Sequence, residues 1–126
     1  MVQARSMKVL VVDDQQSMRG LARQCLTRIG VRQVDMVPSA EDALKSLEKS
    51  QFDLIISDLN MDGMSGTDLL DKVRGHPILK EMPFLLATSE CYRPEEGLVD
   101  KSGFVAKPFS VADLKSAIEG VLGKLS

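Results

Sequence analysis

Tryptophan is absent from this chain, tyrosine occurs once, and phenylalanine four times in 126 residues. That leaves few aromatic platforms on which a nucleic-acid strand could stack. There is one histidine, His76, and two cysteines, Cys25 and Cys91, which stand far apart. No Cys-x-x-Cys pair or Cys/His spacing of the zinc kind can be built from them. Excess positive charge is also missing, since 16 Lys and Arg face 18 Asp and Glu for a net charge of −2. No bulk positive field therefore attracts DNA or RNA. The first apolar run, residues 9–12 after Lys8, stops at two acids and is too short for a signal peptide. Nothing approaches a membrane span. These absences predict a cytoplasmic, reduced, monomeric protein with two free thiols and with neither nucleic acid nor membrane as partner.

The remaining composition is that of one globular domain. Hydrophobic residues make up 44% and charged residues 27% of the chain, which excludes a disordered tail and a fibrous repeat. Residues 1–7 read as a flexible lead-in, and residues 8–126 as a single domain. Within it, short continuous apolar runs alternate with amphipathic stretches. Residues 8–12, 31–37, 52–57, 84–87 and 104–106 read as strands. The first helix carries Met18, Leu21, Ala22, Cys25, Leu26 and Ile29 and stops at Gly30. Ser39 caps a second, with Ala40, Ala43, Leu44 and Leu47 on its apolar face. Leu69, Leu70 and Val73 belong to a third that ends before Pro77. Pro94, Glu95 and Glu96 have the character of a first helical turn. Ser110 and Asp113 form a capping box for a last helix with Leu114, Ala117, Ile118, Val121, Leu122 and Leu125 on one face. Cys25 falls on an apolar face and reads as core, whereas Cys91 falls in a polar stretch.

Five strand–helix units in succession imply a parallel sheet covered on both faces. Ligands of such sheets bind beyond the carboxyl ends of the strands. At those ends stand Asp13 and Asp14 after strand one, Asp58 after strand three, Thr88 and Ser89 after strand four, and Lys107 with Pro108 after strand five. Each alone is an ordinary turn or surface residue. Together they place carboxylates, a hydroxyl and an ammonium at one edge. Clustered carboxylates repel one another, and a hard divalent cation such as Mg²⁺ relieves that repulsion. Lys107 offers a point charge and Thr88 a donor to phosphate oxygens. Such a set suits phosphoryl transfer, with one carboxylate as the nucleophile.

Four segments in order carry a resemblance. They are Lys-Val-Leu-Val-Val-Asp-Asp at 8–14, Ser-Asp-Leu-Asn-Met at 57–61, Ala-Thr-Ser-Glu at 87–90 and Phe-Val-Ala-Lys-Pro-Phe at 104–109. Over residues 8 to 124 the chain resembles the receiver domains of two-component response regulators, of the stand-alone CheY-like chemotaxis type. The resemblance implies a flavodoxin-like, doubly wound α/β fold with a five-stranded parallel sheet in the order 2-1-3-4-5. It implies that Asp58 accepts the phosphoryl group and that Asp14 and Asp58 hold Mg²⁺ directly. Asp13 would act through a water, and the Asn60 carbonyl would be a further ligand. Thr88 and Lys107 would contact phosphoryl oxygens, and the Lys107–Pro108 bond would be cis. Phe104 would be the aromatic switch that turns inward with Thr88, and Asn60 with Glu90 would tune the phosphoryl lifetime. A CheA-like histidine kinase would be the donor, and a flagellar motor switch protein and a phosphatase would be partners.

Departures from the pattern are Asp62 in place of proline, Ser89 in place of alanine, and a stretch from Glu90 to Gly103 shorter by about one turn. Asp62 reads either as part of a turn or as a fourth carboxylate near the cation. The short stretch, with Gly97 in it, predicts an altered readout helix. His76 reads as a residue closing the third helix. Arg19, Arg23 and Arg28 read as a solvated face that could also dock a kinase. With no residue after Ser126 the expected output is a protein contact. A phosphate sink for a shared kinase, and less plausibly a small Mg²⁺-dependent phosphohydrolase, are the alternatives. The adjacent Asp13-Asp14 pair does not fit the Asp-x-Asp of haloacid-dehalogenase-type hydrolases, and two carboxylates after strand one would repel a flavin phosphate.

Overall fold

The computed structural model describes residues 2–61, 63–88 and 102–126. Five strands, β1 (Lys8–Val12), β2 (Gln33–Val37), β3 (Leu54–Asp58), β4 (Phe84–Thr88) and β5 (Ser102–Ala106), form one sheet in the order β2-β1-β3-β4-β5. All four pairings are parallel. Four helices are present among the described residues: α1 (Gln16–Ile29), α2 (Ala40–Lys49), α3 (Gly66–Arg74) and α4 (Val111–Leu122). None of them is long and apolar enough to cross a membrane.

The continuous apolar runs have a simple cause: both faces of the sheet are covered. Successive side chains alternate between two separate cores. Val9, Val11, Leu54, Ile56, Leu85 and Ala87 pack with Ala22, Cys25 and Leu26 of α1 and Leu114 and Ile118 of α4. Leu10, Val12, Ile55, Phe84 and Leu86 pack with Ala40, Ala43 and Leu47 of α2 and Leu69, Leu70 and Val73 of α3. Each fully buried aliphatic side chain contributes about 1.5–3 kcal/mol relative to exposure. A one-residue slip of any central strand would exchange its two sets of side chains between cores of different shape, so the register is firmly specified.

Helix ends follow local chemistry. Gly30 ends α1 in the left-handed region at φ 116°, which a residue without Cβ adopts freely. The Ser39 hydroxyl accepts from the Asp42 N–H at the start of α2. The expected capping box of Ser110 and Asp113 opens α4, and Ser65 with Asp68 forms another at α3.

Three expectations are corrected. The lead-in is not loose: Ala4 and Met7 are each only 2% exposed, and Ala4–Ser6 forms a turn of 3-10 helix. The Val2 N–H donates to the Lys124 carbonyl, and the Ser126 N–H to the Val2 carbonyl. Leu125 does not extend the last helix, because Gly123 turns the chain at φ 92° and Leu125 bridges Val2 instead. β2 starts at Gln33 rather than at residue 31, because the core takes Val31 as part of the turn after α1. The helix expected from Pro94, together with Asp62, Ser89, Glu90, Cys91 and Gly97, lies outside the described residues.

Candidate functional site

The parallel sheet brings the ends of β1, β3, β4 and β5 to one edge. Asp13 directly follows β1, and its N–H donates to the Val37 carbonyl at 3.2 Å, extending the β1–β2 pairing by one step. Its carboxylate is held on both sides. Oδ1 accepts the Gln15 N–H at 2.9 Å, and Oδ2 accepts from Lys107 Nζ at 2.8 Å. Asp58 is the last residue of β3, with its Oδ1 3.0 Å from the same Lys107 Nζ. The side chains of Asp13, Asp58 and Lys107 are 6%, 11% and 11% exposed, so both ion pairs are largely out of water. Asp14 is exposed at the rim. Each of Asp13, Asp14 and Asp58 offers a carboxylate oxygen within 4.8 Å of the others. The space behind the Asp13–Lys107–Asp58 group is only about 10 Å³, at the lower limit for one water, so the group is closely packed.

Lys107 reaches this position from the end of β5. Its N–H donates to the Thr88 carbonyl at 2.7 Å, and the Lys107–Pro108 peptide is cis. Thr88 ends β4 and is 1% exposed. Phe104, in the middle of β5, is 43% exposed. Asn60, two residues beyond Asp58, is exposed. The structure therefore gathers Asp13, Asp14, Asp58 and Lys107 into one group, with Thr88 bonded to Lys107 through its backbone. Glu90 and Asp62 fall outside the described residues.

Burial raises the Asp58 carboxyl above its ordinary value, and the neighbouring Asp13 charge adds to this. The hydrogen bond and charge of Lys107 and the Asn60 N–H oppose the rise without cancelling it. Lys107 divides its ammonium between two carboxylates, so neither is fully compensated. For Lys107 itself burial works against the charge, but the hydrogen bonds and charges of Asp13 and Asp58 outweigh it, and its pKa is raised. A carboxylate raised by burial and by a like charge, beside an ammonium, is ready to lose that strain to a cation. The donor set is hard oxygen throughout, as Mg²⁺ prefers, and the three oxygens lie close enough to share one ion. The residues fit the metal.

Two supports were not legible in the sequence. Arg19 Nη1 donates to the Asp13 carbonyl at 2.6 Å, so this half-buried residue is not simply part of a solvated face. Its position one turn into a helix that begins beside Asp13 was the available signal. Gly66, the first residue of α3, packs against the backbone of Asp58, and a Cβ built there would overlap the Asp58 carbonyl oxygen. The Gly66 N–H also donates to the Leu59 carbonyl at 2.9 Å.

The response regulator receiver domain family matches residues 9–119, and the chain belongs to it. The chain is 34% identical to chemotaxis protein CheY-3 of Vibrio cholerae over 124 residues, covering 96% of this chain and 95% of that protein. Among solved structures, CheY4 of the same organism superposes with a TM-score of 0.81 at 33% identity, covering 92% of this chain and 98% of that one. TrrA of Thermotoga maritima, a response regulator solved in complex with Mg(2+)-BeF, superposes with a TM-score of 0.79 at 30% identity, covering 92% and 99%.

Proposed function

We propose that Asp58 is the phosphoacceptor of a chemotaxis-type response regulator, taking the phosphoryl group from a phosphohistidine of a CheA-like kinase. The observation that carries this reading is the Lys107 ammonium bridging Asp58 at 3.0 Å and Asp13 at 2.8 Å, with Asp14 completing the carboxylate group. A carboxylate oxygen of Asp58 attacks phosphorus, the O–P bond forms as the N–P bond breaks, and the imidazole of the donor leaves. Asp14, Asp58 and the Asn60 carbonyl would hold Mg²⁺, with Asp13 through a water; when bound, the ion neutralises charge on the carboxylates and phosphoryl oxygens. Lys107 turns its ammonium from Asp58 toward a phosphoryl oxygen while keeping Asp13. Thr88 donates its hydroxyl to another, and Phe104, partly exposed on β5, closes into the space that Thr88 leaves. The protein acts on its own Asp58 only, and its output is a protein contact, with a flagellar motor switch protein as first candidate target.

The test is incubation of the protein with Mg²⁺ and acetyl phosphate or a phosphorylated cognate kinase. An acid-stable, base-labile phosphoryl group is expected on Asp58, and Asp58→Asn should abolish it. Undiminished labelling of that variant would remove the assignment.

A further inference from the structure

A groove of about 700 Å³ lies at the opposite edge of the sheet from Asp58, between residues 3–5, the carboxyl-terminal half of α1 and the start of β2. Three separate elements each bring an arginine to it. Arg5 comes from the 3-10 turn, Arg23 from α1, and Arg32 from the connection that Gly30 turns at φ 116°. The groove exists because the amino-terminal segment is tied down, the Ala4 N–H donating to the Ser126 carbonyl at 3.2 Å. No acidic side chain lines it, although the chain as a whole carries more acids than bases; the main-chain carboxyl group of Ser126 lies on its wall, and the three arginines outnumber it. Arg5, Arg23 and Arg32 form no ion pair with a carboxylate among the described residues. The apolar floor includes Val31 and Val34, and Val31 is 2% exposed.

We propose that this groove binds a small anion bearing two or more phosphoryl groups. Like charge on the walls of a concave surface focuses the field and concentrates anions there. Each guanidinium presents a planar fork that matches two phosphate oxygens. One carboxylate would satisfy one fork; several phosphoryl oxygens are needed to meet three. The Thr27 hydroxyl does not add a donor, because its proton already goes to the Arg23 carbonyl at 2.8 Å. The size suits a ligand of nucleotide dimensions, with its uncharged part over Val31 and Val34. The groove shares no residue with the acidic site, so it can be filled whatever the state of Asp58.

The full chain, free of Mg²⁺, is titrated with inorganic pyrophosphate and with ATP while backbone and arginine side-chain NMR signals are followed. Saturable shifts centred on Arg5, Arg23 and Arg32 are expected with both probes, and tighter binding of ATP shows that the apolar floor takes part. Equal affinity assigns recognition to the phosphoryl groups alone, which is the proposal in its basic form. The double change Arg23→Ala with Arg32→Ala should weaken binding at least tenfold, about 1.4 kcal/mol. The pair Arg23→Lys with Arg32→Lys, which keeps charge and loses the forks, should lie between that variant and the parent. Both variants should keep the parent melting temperature and the parent rate of Asp58 labelling by acetyl phosphate, which needs no kinase. The proposal is overturned by non-saturating shifts up to about 10 mM of either probe, by shifts centred on Lys107, or by affinity unchanged in the alanine pair.

Discussion

Gly66 and Gly20 make a paired test of how Asp58, the proposed acceptor, is positioned. Both are helical, and helix propensity alone predicts that alanine stabilises either by about 0.5–1 kcal/mol. The surroundings separate them. A Cβ at Gly20, exposed within α1, meets nothing within 4 Å. A Cβ at Gly66 would overlap the Asp58 carbonyl oxygen and approach Leu86 Cδ2 to 2.9 Å. The first of these neighbours is backbone, and the Ile55–Asp58 stretch of β3 is fixed by pairing with β4, so it has little room to yield. Forced overpacking costs about 1–3 kcal/mol, and an overlap with unyielding backbone belongs at the upper end, about 2–3 kcal/mol, from which the propensity gain of about 1 kcal/mol is subtracted. Gly66→Ala should therefore lose about 1–2 kcal/mol and melt about 4–8 °C lower, at about 4 °C per kcal/mol for this length. Gly20→Ala should melt about 2–4 °C higher. Because the overlap falls on the backbone of Asp58, the proposed acceptor, Gly66→Ala should also slow phosphorylation by about ten- to a hundredfold, while Gly20→Ala leaves it unchanged. Thermal melts and acetyl phosphate labelling read both effects. A Gly66→Ala protein as stable as the parent and labelled at the parent rate would refute the reasoning.

The raised carboxyl of Asp58 sets a pH dependence. Without divalent cations the folded protein holds the Asp58 proton at pH values where the unfolded chain, near 3.8, has released it, so stability falls as pH rises from there through the raised value. Asp58→Asn should melt higher than the parent above that window, with the difference shrinking toward pH 3.8; a difference that is independent of pH would contradict the burial cause. Mg²⁺ at about a hundred times its Kd should stabilise the parent by about 2.7 kcal/mol. Asp14→Ala should lose most of this gain at the same concentration, and an equal gain in both proteins by calorimetry would place the ion elsewhere.

The sheet and the acidic edge were legible because they follow from local patterns. β1, β3 and β4 are buried on both faces, so their apolar runs are continuous and end where the acids and Thr88 begin. β2 was weaker because it is an edge strand whose residues are all half-buried or exposed, leaving little hydrophobic signal to fix its start. The docking of residues 2–7 had no local sign at all. Val2 and Ala4 are tied to residues at the other end of the chain, and a short mixed segment carries no period that announces it. The role of Gly66 was not legible, since sequence shows that a side chain is missing and not what stands in its place. Arg19 read as one of several surface arginines, because only the three-dimensional turn from Asp13 into α1 brings a carbonyl to its guanidinium.

The charge of the acidic group follows from where Lys107 stands. Three carboxylates, Asp13, Asp14 and Asp58, and one ammonium carry a formal −2 when all are ionised. A group of that charge is met by one divalent cation and not by one monovalent ion. Asp14 and Asp58 face different conditions within it: Asp14 is exposed, whereas Asp58 is largely buried and its carboxyl is raised. The cost of the uncompensated charge is therefore concentrated on Asp58, where relief by a cation matters most. Were Lys107 replaced by a neutral side chain, the group would carry −3, two of the charges would be nearly dry, and the nearest outcome would be uptake of a proton by Asp58. A protonated carboxyl is a poor nucleophile toward phosphorus. On the proposed reading, Lys107 thus opposes the rise of the Asp58 carboxyl while leaving the group short of balance by the charge of one Mg²⁺.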